Sequence, residues 1–498
     1  MLAQSEKKTH PVAVVLLVLF TALAWIPVLF TALLMLFDYT PVRGLFGSPF
    51  TGLSNLTTFL GSPYLMRLFG NSLFLWLLSL GAALLLAIPI ALLCSLIRRR
   101  QSAITCAALL LLPAFIPASA IYKLLLSIFP TMIWTSASTY YLGFIAQTVL
   151  PGAALIAFVG AVSALYYRSR GRQAAVGALN GCLQAGLVYA LFCLSPLYEA
   201  VWLTANPLVY AVADTFDAYV YRQSFAQMNL SIGAASFVVR SLLQAVLAVG
   251  PAILLAFWLK RQEQILPVQT LADETGRDKP GKTVFSWLIA AVLIIGLLLA
   301  GGMPVFGTAG TGRLFDNVLA SLFTAILAGV IGGGLSLLFL TGARSASRPL
   351  LVVFAVLVLA FNNAQIGQYL LSRQLGLINT MPATAFHAWL QPSALLVIIL
   401  FAILPGNRRS QPATHGLAAA AALFIGATAY GGIFPNLIFA NTPNLRSMGV
   451  MLASALSGPD VQPGLVSLLY GLTLLPCLLL GLGAVLLARR SIRTLIET

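Results

Sequence analysis

The segment NPLVYAVADTFDAYVYRQ, residues 206–223, gathers two carboxylates, three tyrosines and an arginine in a chain of which only 8% is charged. If the segment is helical, Tyr210, Asp214, Asp217 and Tyr221 are spaced by 4, 3 and 4 residues and share one face. Carboxylates beside tyrosines suit sugar hydroxyls or the basic rim of a partner protein. The same pattern fits a helix at a membrane interface, with tyrosines at headgroup level and solvated acids. Spacing alone leaves both readings open.

A second set of polar residues lies inside apolar runs. Arg240 sits about nine residues, or ~13 Å, from the end of its run at 1.5 Å per residue. Such a guanidinium is either functional, with Glu199 or Asp214 as its partner, or it snorkels to the interface from a helix that starts later. Lys123 fits snorkelling. Asn362, Asn363 and Gln365 interrupt another run as FNNAQIGQ, and they either bind a neighbouring helix or line a pathway. The small residues of GVIGGGLS, 329–336, fit close helix packing. His10, His387 and His415 are isolated. There is no metal-ligand spacing, nucleophile triad or phosphate loop of the form G-x-x-x-x-G-K-[ST]. The expectation is a non-enzyme with no metal and no cofactor, in which any ATP hydrolysis comes from another chain.

The elements that carry these residues follow from composition. The chain has 498 residues, 60% apolar, and a mean hydropathy of +0.96. A soluble protein of this length needs more polar surface than that, so the bilayer is its solvent. In lipid the backbone must satisfy its own hydrogen bonds, and the long continuous runs indicate helices rather than barrel strands. A net charge of +16 would fit nucleic acid, but the basic residues cluster at the ends of apolar runs, which is a topology signal. The five cysteines lie within apolar runs and read as packing residues. Lys7 and Lys8 precede a run at 11–37 that is too long for a signal-peptide core, so it reads as an uncleaved span.

Twelve spans are predicted, near 11–37, 71–97, 103–129, 143–166, 174–197, 231–259, 283–302, 315–341, 349–371, 388–405, 415–438 and 463–488. With the N-terminus inside, most of the 28 basic residues fall on inner segments. This places both termini in the cytoplasm and residues 206–223 outside. Residues 53–69 read as a helix lying at the interface. Residues 260–282 mix both charges with Pro and Gly and read as a cytoplasmic linker between halves at 1–259 and 283–498. The halves repeat: LFGNSLFL from Leu68 aligns with LFDNVLAS from Leu314 at an offset of 246, placing Asn71 on Asn317, Arg98 on Arg344 and LPAF (112–115) on VLAF (358–361). A parallel repeat of two six-helix halves implies a central translocation path.

Three stretches of the first half, TGLSNLTTFLGSPYLMRLFGNSLFL (51–75), LLLLPAFIPASAIYKLLLSIF (109–129) and NPLVYAVADTFDAYVYRQSF, resemble permease subunits of carbohydrate-type ABC importers, those for polysaccharides and complex oligosaccharides. In the second half, RQLGLINT (373–380) and NLRSMGVMLASAL (444–456) resemble the partner permease. The resemblance implies an all-α membrane protein of about 12 transmembrane helices, similar to a type I ABC importer permease with its two subunits fused, in the bacterial plasma membrane. It implies ABC ATPase subunits and an extracytoplasmic solute-binding protein as partners besides membrane lipid, and no nucleic acid. It favours docking on the outer face for Asn206, Tyr210, Asp214, Asp217, Tyr219, Tyr221 and Arg222, while Arg240, Asn362, Asn363 and Gln365 are candidate pathway residues from their own place inside apolar runs.

One family feature is missing. The cytoplasmic coupling loops, with Glu-Ala-Ala and a following glycine, should stand where this chain has YYRSRGRQAAVG and LPGNRRSQPATHG. Arg168, Arg170, Arg172 and Gln173 in the first loop, and Arg408 and Arg409 in the second, mark degenerate versions. The alternative reading is therefore a permease-derived scaffold or regulatory subunit of an envelope complex that no longer couples to an ATPase. A secondary transporter ranks third, since no acidic residue lies deep in a span.

Overall fold

The computed structural model describes residues 11–129, 134–195, 198–263, 311–406, 411–434, 436–440, 442–457 and 462–497. The expected span at 283–302 and nearly all of the expected linker lie outside the described residues. The described chain is built of helices and turns, with one isolated antiparallel bridge between Phe37 and Phe50. In order, the main helices are α1 (Pro11–Leu34), α2 (Tyr64–Ser95), α3 (Arg100–Leu109), α4 (Ala118–Ile128), α5 (Ala137–Ser169), α6 (Ala174–Ala190), α7 (Tyr198–Thr204), α8 (Phe216–Tyr221) and α9 (Leu230–Glu263). They continue with α10 (Thr311–Ser345), α11 (Arg348–Ala360), α12 (Gln365–Gln374), α13 (Met381–Ala388), α14 (Pro392–Ile403), α15 (Gln411–Gly431), α16 (Met448–Ser457) and α17 (Pro463–Glu497).

Among the described residues, eight segments are long and apolar enough to cross a bilayer: α1, α2, α5, α9, α10, α13 with α14, α15 and α17. Their outward faces carry exposed Leu85, Leu93, Val246, Ile326 and Val330. So much apolar surface is an aggregation hazard in water and the required coat in lipid. The most apolar windows of α5 and of α13–α14 are 83% buried, against 22% for α2 and α9, so these two segments form the centre of the bundle.

Several expected boundaries change. The spans at 103–129 and 349–371 are not continuous: α3 and its following turn meet α4 at 82°, and α11 meets α12 at 78°. At the first bend Pro117 lacks an N–H and holds Ile116 extended at ψ 118°. The second bend has no proline; Asn363 turns the chain with φ 62°, a left-handed value that asparagine tolerates better than most residues. The expected span at 174–197 stops at Ala190 and continues as a buried turn, and that at 415–438 stops at Gly431. The supposed interfacial helix at 53–69 is a short helix, Ser54–Leu60, followed by the first turns of α2. Helix α9 runs to Glu263, past the expected boundary at 259.

Small residues set the helix spacing. A Cβ on Gly160 would meet Cys182 Sγ at 2.5 Å, and one on Gly181 would meet Ser163 Oγ at 2.5 Å, which locks α5 against α6. Gly332 and Gly333 of the GVIGGGLS stretch lie against Ile425 and Ala422, which is the packing role expected of them. The long-range packing is crossed: α9 lies on α11, and α17 lies on α3. Helix α1 packs against α10 and α12. There the Gly367 N–H donates to Thr31 Oγ1 at 2.9 Å, and a Cβ at Gly367 would stand 1.8 Å from the Pro27 carbonyl oxygen.

That backbone oxygen cannot rotate away, so Gly367→Ala is expected to destabilise the protein by about 1–3 kcal/mol. Gly334→Ala, on a helix face with nothing within 4 Å, is expected to be neutral or to stabilise by up to ~1 kcal/mol. Thermal unfolding of both variants in the same detergent checks the contrast.

Candidate functional site

The second bend leaves the carbonyl end of α11 without helical partners. Two side chains one turn apart on α9 fill that need. Gln244 Nε2 donates to the Leu359 and Ala360 carbonyls at 2.8 and 3.2 Å, and its Oε1 accepts from the Leu194 N–H at 3.1 Å. Arg240 Nη2 donates to the Asn362 carbonyl at 2.5 Å. Its Nη1 donates to Asp217 Oδ1 at 2.5 Å and Ser195 Oγ at 2.6 Å, and the guanidinium lies 4.8 Å from the centre of the Phe237 ring. Arg240 is fully buried and Asp217 nearly so, at 0% and 3% exposure. Arg240 therefore does not snorkel, and its partner is Asp217 rather than Glu199 or Asp214. A cation at a helix C-terminus is favoured by the helix dipole. Asn362, Asn363 and Gln365 are buried around the same bend, where Gln365 Nε2 donates to Asn363 Oδ1 at 2.9 Å and Asn362 Nδ2 to the Leu359 carbonyl at 2.5 Å. All four expected pathway residues gather here; several of their polar groups bind protein, while Arg240 Nε, Asn362 Oδ1 and Gln365 Oε1 are buried without a partner.

The 206–223 segment is not one helix. Residues Tyr210–Ala213 form a single turn, the chain extends at Asp214, and Thr215 caps α8 by accepting from the Ala218 N–H at 3.4 Å. The break turns the two carboxylates to different partners. Asp214, 1% exposed, takes a two-pronged bond from Arg222 at 3.0 and 2.9 Å and lies 3.5 Å from Arg67. The Arg222 guanidinium lies over the rings of Tyr210 and Tyr219, at 5.1 and 5.5 Å. Asn71 Nδ2 staples the segment to α2 through the Ala211 and Asp214 carbonyls at 3.0 and 3.1 Å. Asn206 donates to the Trp134 carbonyl at 2.8 Å and caps the Leu208 N–H at 3.0 Å. Tyr221 packs on Phe225 and Phe434. Among the residues expected to dock outward, Asp214, Asp217 and Tyr219 are buried, while Asn206, Tyr210, Tyr221 and Arg222 are half-buried.

The first bend is built differently. Ala114, Phe115, Ile116, Pro117 and Ala118 line a cavity of about 140 Å³. Its other walls come from α5 (Gln147, Thr148), α7 (Glu199, Ala200), the start of α14 (Gln391, Pro392, Ser393) and the end of α15 (Phe424, Ala427, Thr428, Gly432). Glu199 Oε1 accepts from the Ile433 and Phe434 N–H groups at 2.8 and 3.0 Å. Burial pushes its carboxyl up to about 7, against the opposing pull of those two N–H groups. Glu199 entered the sequence reading only as a partner for Arg240. Its place on a short helix between apolar runs gave no sign that α7 folds inward against the far end of the chain.

In the first expected coupling loop, Arg168 folds back onto the Ile97 and Ser95 carbonyls and Arg170 onto the Tyr166 ring at 5.2 Å. Arg172 and Gln173 are exposed at the turn made by Gly171, whose φ is 67°. Arg408 and Arg409 lie outside the described residues.

Arg240→Met strands the Asp217 carboxylate in the interior and is expected to destabilise by about 3–5 kcal/mol. Adding Asp217→Asn should restore part of that loss. Arg222→Met should cost less, because Arg67 stays within 3.5 Å of Asp214. Chemical unfolding of the three variants gives the comparison. A second expectation concerns pH. Glu199 ionises near 4.5 in the unfolded chain and near 7 in the folded one, so the folded state loses stability as pH rises between those values. The difference in melting temperature between the natural chain and Glu199→Gln should widen across that window and stay flat above it. Comparison of the sequence with family models and curated proteins, and of the fold with solved structures, gives no match.

Proposed function

We propose that the chain is the membrane permease component of a carbohydrate importer, with its path running between two six-span halves of like orientation, at 1–259 and 283–498. The observation that carries this reading is the cavity at the first bend, walled by residues 114–200 on one side and 391–432 on the other. The offset of 246 supports the pairing of the halves. It places the α3–α4 bend on the α11–α12 bend. It also places Asn71, which binds the carbonyls of Ala211 and Asp214, on Asn317, whose Nδ2 donates to the Pro443 carbonyl at 3.0 Å. On this reading both termini are cytoplasmic, the membrane is the plasma membrane, and the 198–230 and 439–462 segments form the outer rim of the path. ABC ATPase subunits and an extracytoplasmic solute-binding protein are then the partners.

A second reading is favoured by the fold-back of Arg168 and Arg170, which leaves a compact turn where an ATPase-docking helix is expected. It makes the chain a permease-derived scaffold in a larger envelope complex. Purification from the native host in mild detergent, followed by mass spectrometry, separates the two. A stoichiometric ATPase is the expected companion of an importer. A set of membrane or surface proteins without any ATPase supports the scaffold and removes the importer.

A further inference from the structure

We propose that the cavity at the first bend binds a small solute carrying a protonated amine, with Glu199 as its counter-ion. The inference rests on the proposed path and names what that path admits.

The cavity walls are rich in acceptors. Glu199 lines the space and brings the one negative charge among its lining residues. The Ile433 and Phe434 N–H groups both go to Oε1, which leaves Oε2 for an occupant. Gln147, 2% exposed, has a buried Oε1 with no partner, while its amide nitrogen reaches the Ala118 carbonyl at 3.5 Å. Thr428 donates its hydroxyl proton to the Ile425 carbonyl at 2.8 Å, which leaves its oxygen as an acceptor, whereas Thr148 donates to the Phe144 carbonyl at 2.9 Å and already meets Ser79 Oγ at 3.1 Å. A buried amide oxygen without a donor and a buried carboxylate without a cation are both unfavourable, and one ammonium group satisfies the two together.

No lining residue is basic. The charged and titratable groups on the elements packed against α7 are engaged elsewhere. Lys123 on α4 donates to Ser127 Oγ at 2.8 Å, Tyr140 on α5 meets Thr204 Oγ1 at 3.1 Å, and Asp217 on α8 holds Arg240. Tyr122 packs at a tilt against Trp134 and Tyr219 against Phe59, while Tyr221 packs edge-on to Phe434 and Tyr141 to Phe74. An ammonium group supplies both the missing charge and the missing protons. The rings of Phe115 and Phe424, packed edge to face with centres 5.2 Å apart, complete the apolar part of the wall. A volume of about 140 Å³ corresponds to about five waters at ~30 Å³ each, which suits a solute of roughly six heavy atoms.

The test is calorimetric titration of the full chain in detergent with serinol and with glycerol, its uncharged isostere. At pH 8 serinol is expected to bind at least about tenfold more tightly than glycerol, and Glu199→Gln is expected to erase that preference. Serinol binding should also weaken as pH falls below about 7, where Glu199 takes up a proton. Equal binding of the two probes, no binding of serinol, or a preference that survives Glu199→Gln overturns the inference. Should Glu199→Gln fail to fold, Gln147→Met tests the same site through its other acceptor and is expected to weaken serinol selectively. Amine binding by a protein that purifies without an ATPase leaves this site standing and removes the importer. An ATPase partner with no amine preference does the reverse.

Discussion

A helix that bends inside a membrane exposes carbonyls that no water in the hydrocarbon can satisfy. Two bends of nearly equal angle meet this constraint in different ways. At the α11–α12 bend, Arg240 and Gln244 reach across from α9 and take up the Leu359, Ala360 and Asn362 carbonyls. At the α3–α4 bend no guanidinium arrives, and the backbone lines a cavity instead. One bend is plugged by protein and the other opens to a space, the two arrangements in which irregular backbone is tolerated at depth.

The plug brings its own demand. A guanidinium at 0% exposure needs a counter-charge, and Asp217 supplies it from a segment that Asn71 and Ser72 staple to α2. Phe216 N–H donates to Ser72 Oγ at 3.1 Å, directly beside Asp217. The position of the second bend is therefore tied, through Arg240 and Asp217, to the way residues 206–223 lie on the first part of the chain. The neighbouring Asp214 holds that segment together from within through Arg222 and Arg67. The polar patch of this greasy chain is an internal clamp before it is a surface.

The sequence made the helical class and most of the membrane-length helices readable, because hydropathy over ~20 residues is a strong local signal. It also singled out Arg240, Asp214 and Asp217 as unusual. Their partners were not readable. Treating 206–223 as one helix put both carboxylates on one face, and the extended residue at Asp214 with the cap at Thr215 undid that. The bends were half visible: Pro117 announces the first, whereas Asn363 at φ 62° adopts a conformation that no periodicity reports. Glu199 was the largest miss. Its site joins α7 to residues 432–434, more than 230 positions away, and such a contact leaves no mark in a local pattern.

The crossed packing of α9 on α11 and α17 on α3 also bears on how the chain is made. Helix α3 is translated well before the helix that covers it, Pro463–Glu497. The first bend must wait, incompletely covered, while more than 300 further residues are translated and inserted. Its apolar neighbours can be sheltered by lipid during that interval, but its kinked backbone cannot. Biogenesis of this protein thus places its most exposed intermediate at the element that later walls the cavity, and a membrane insertase that shields polar backbone would act there.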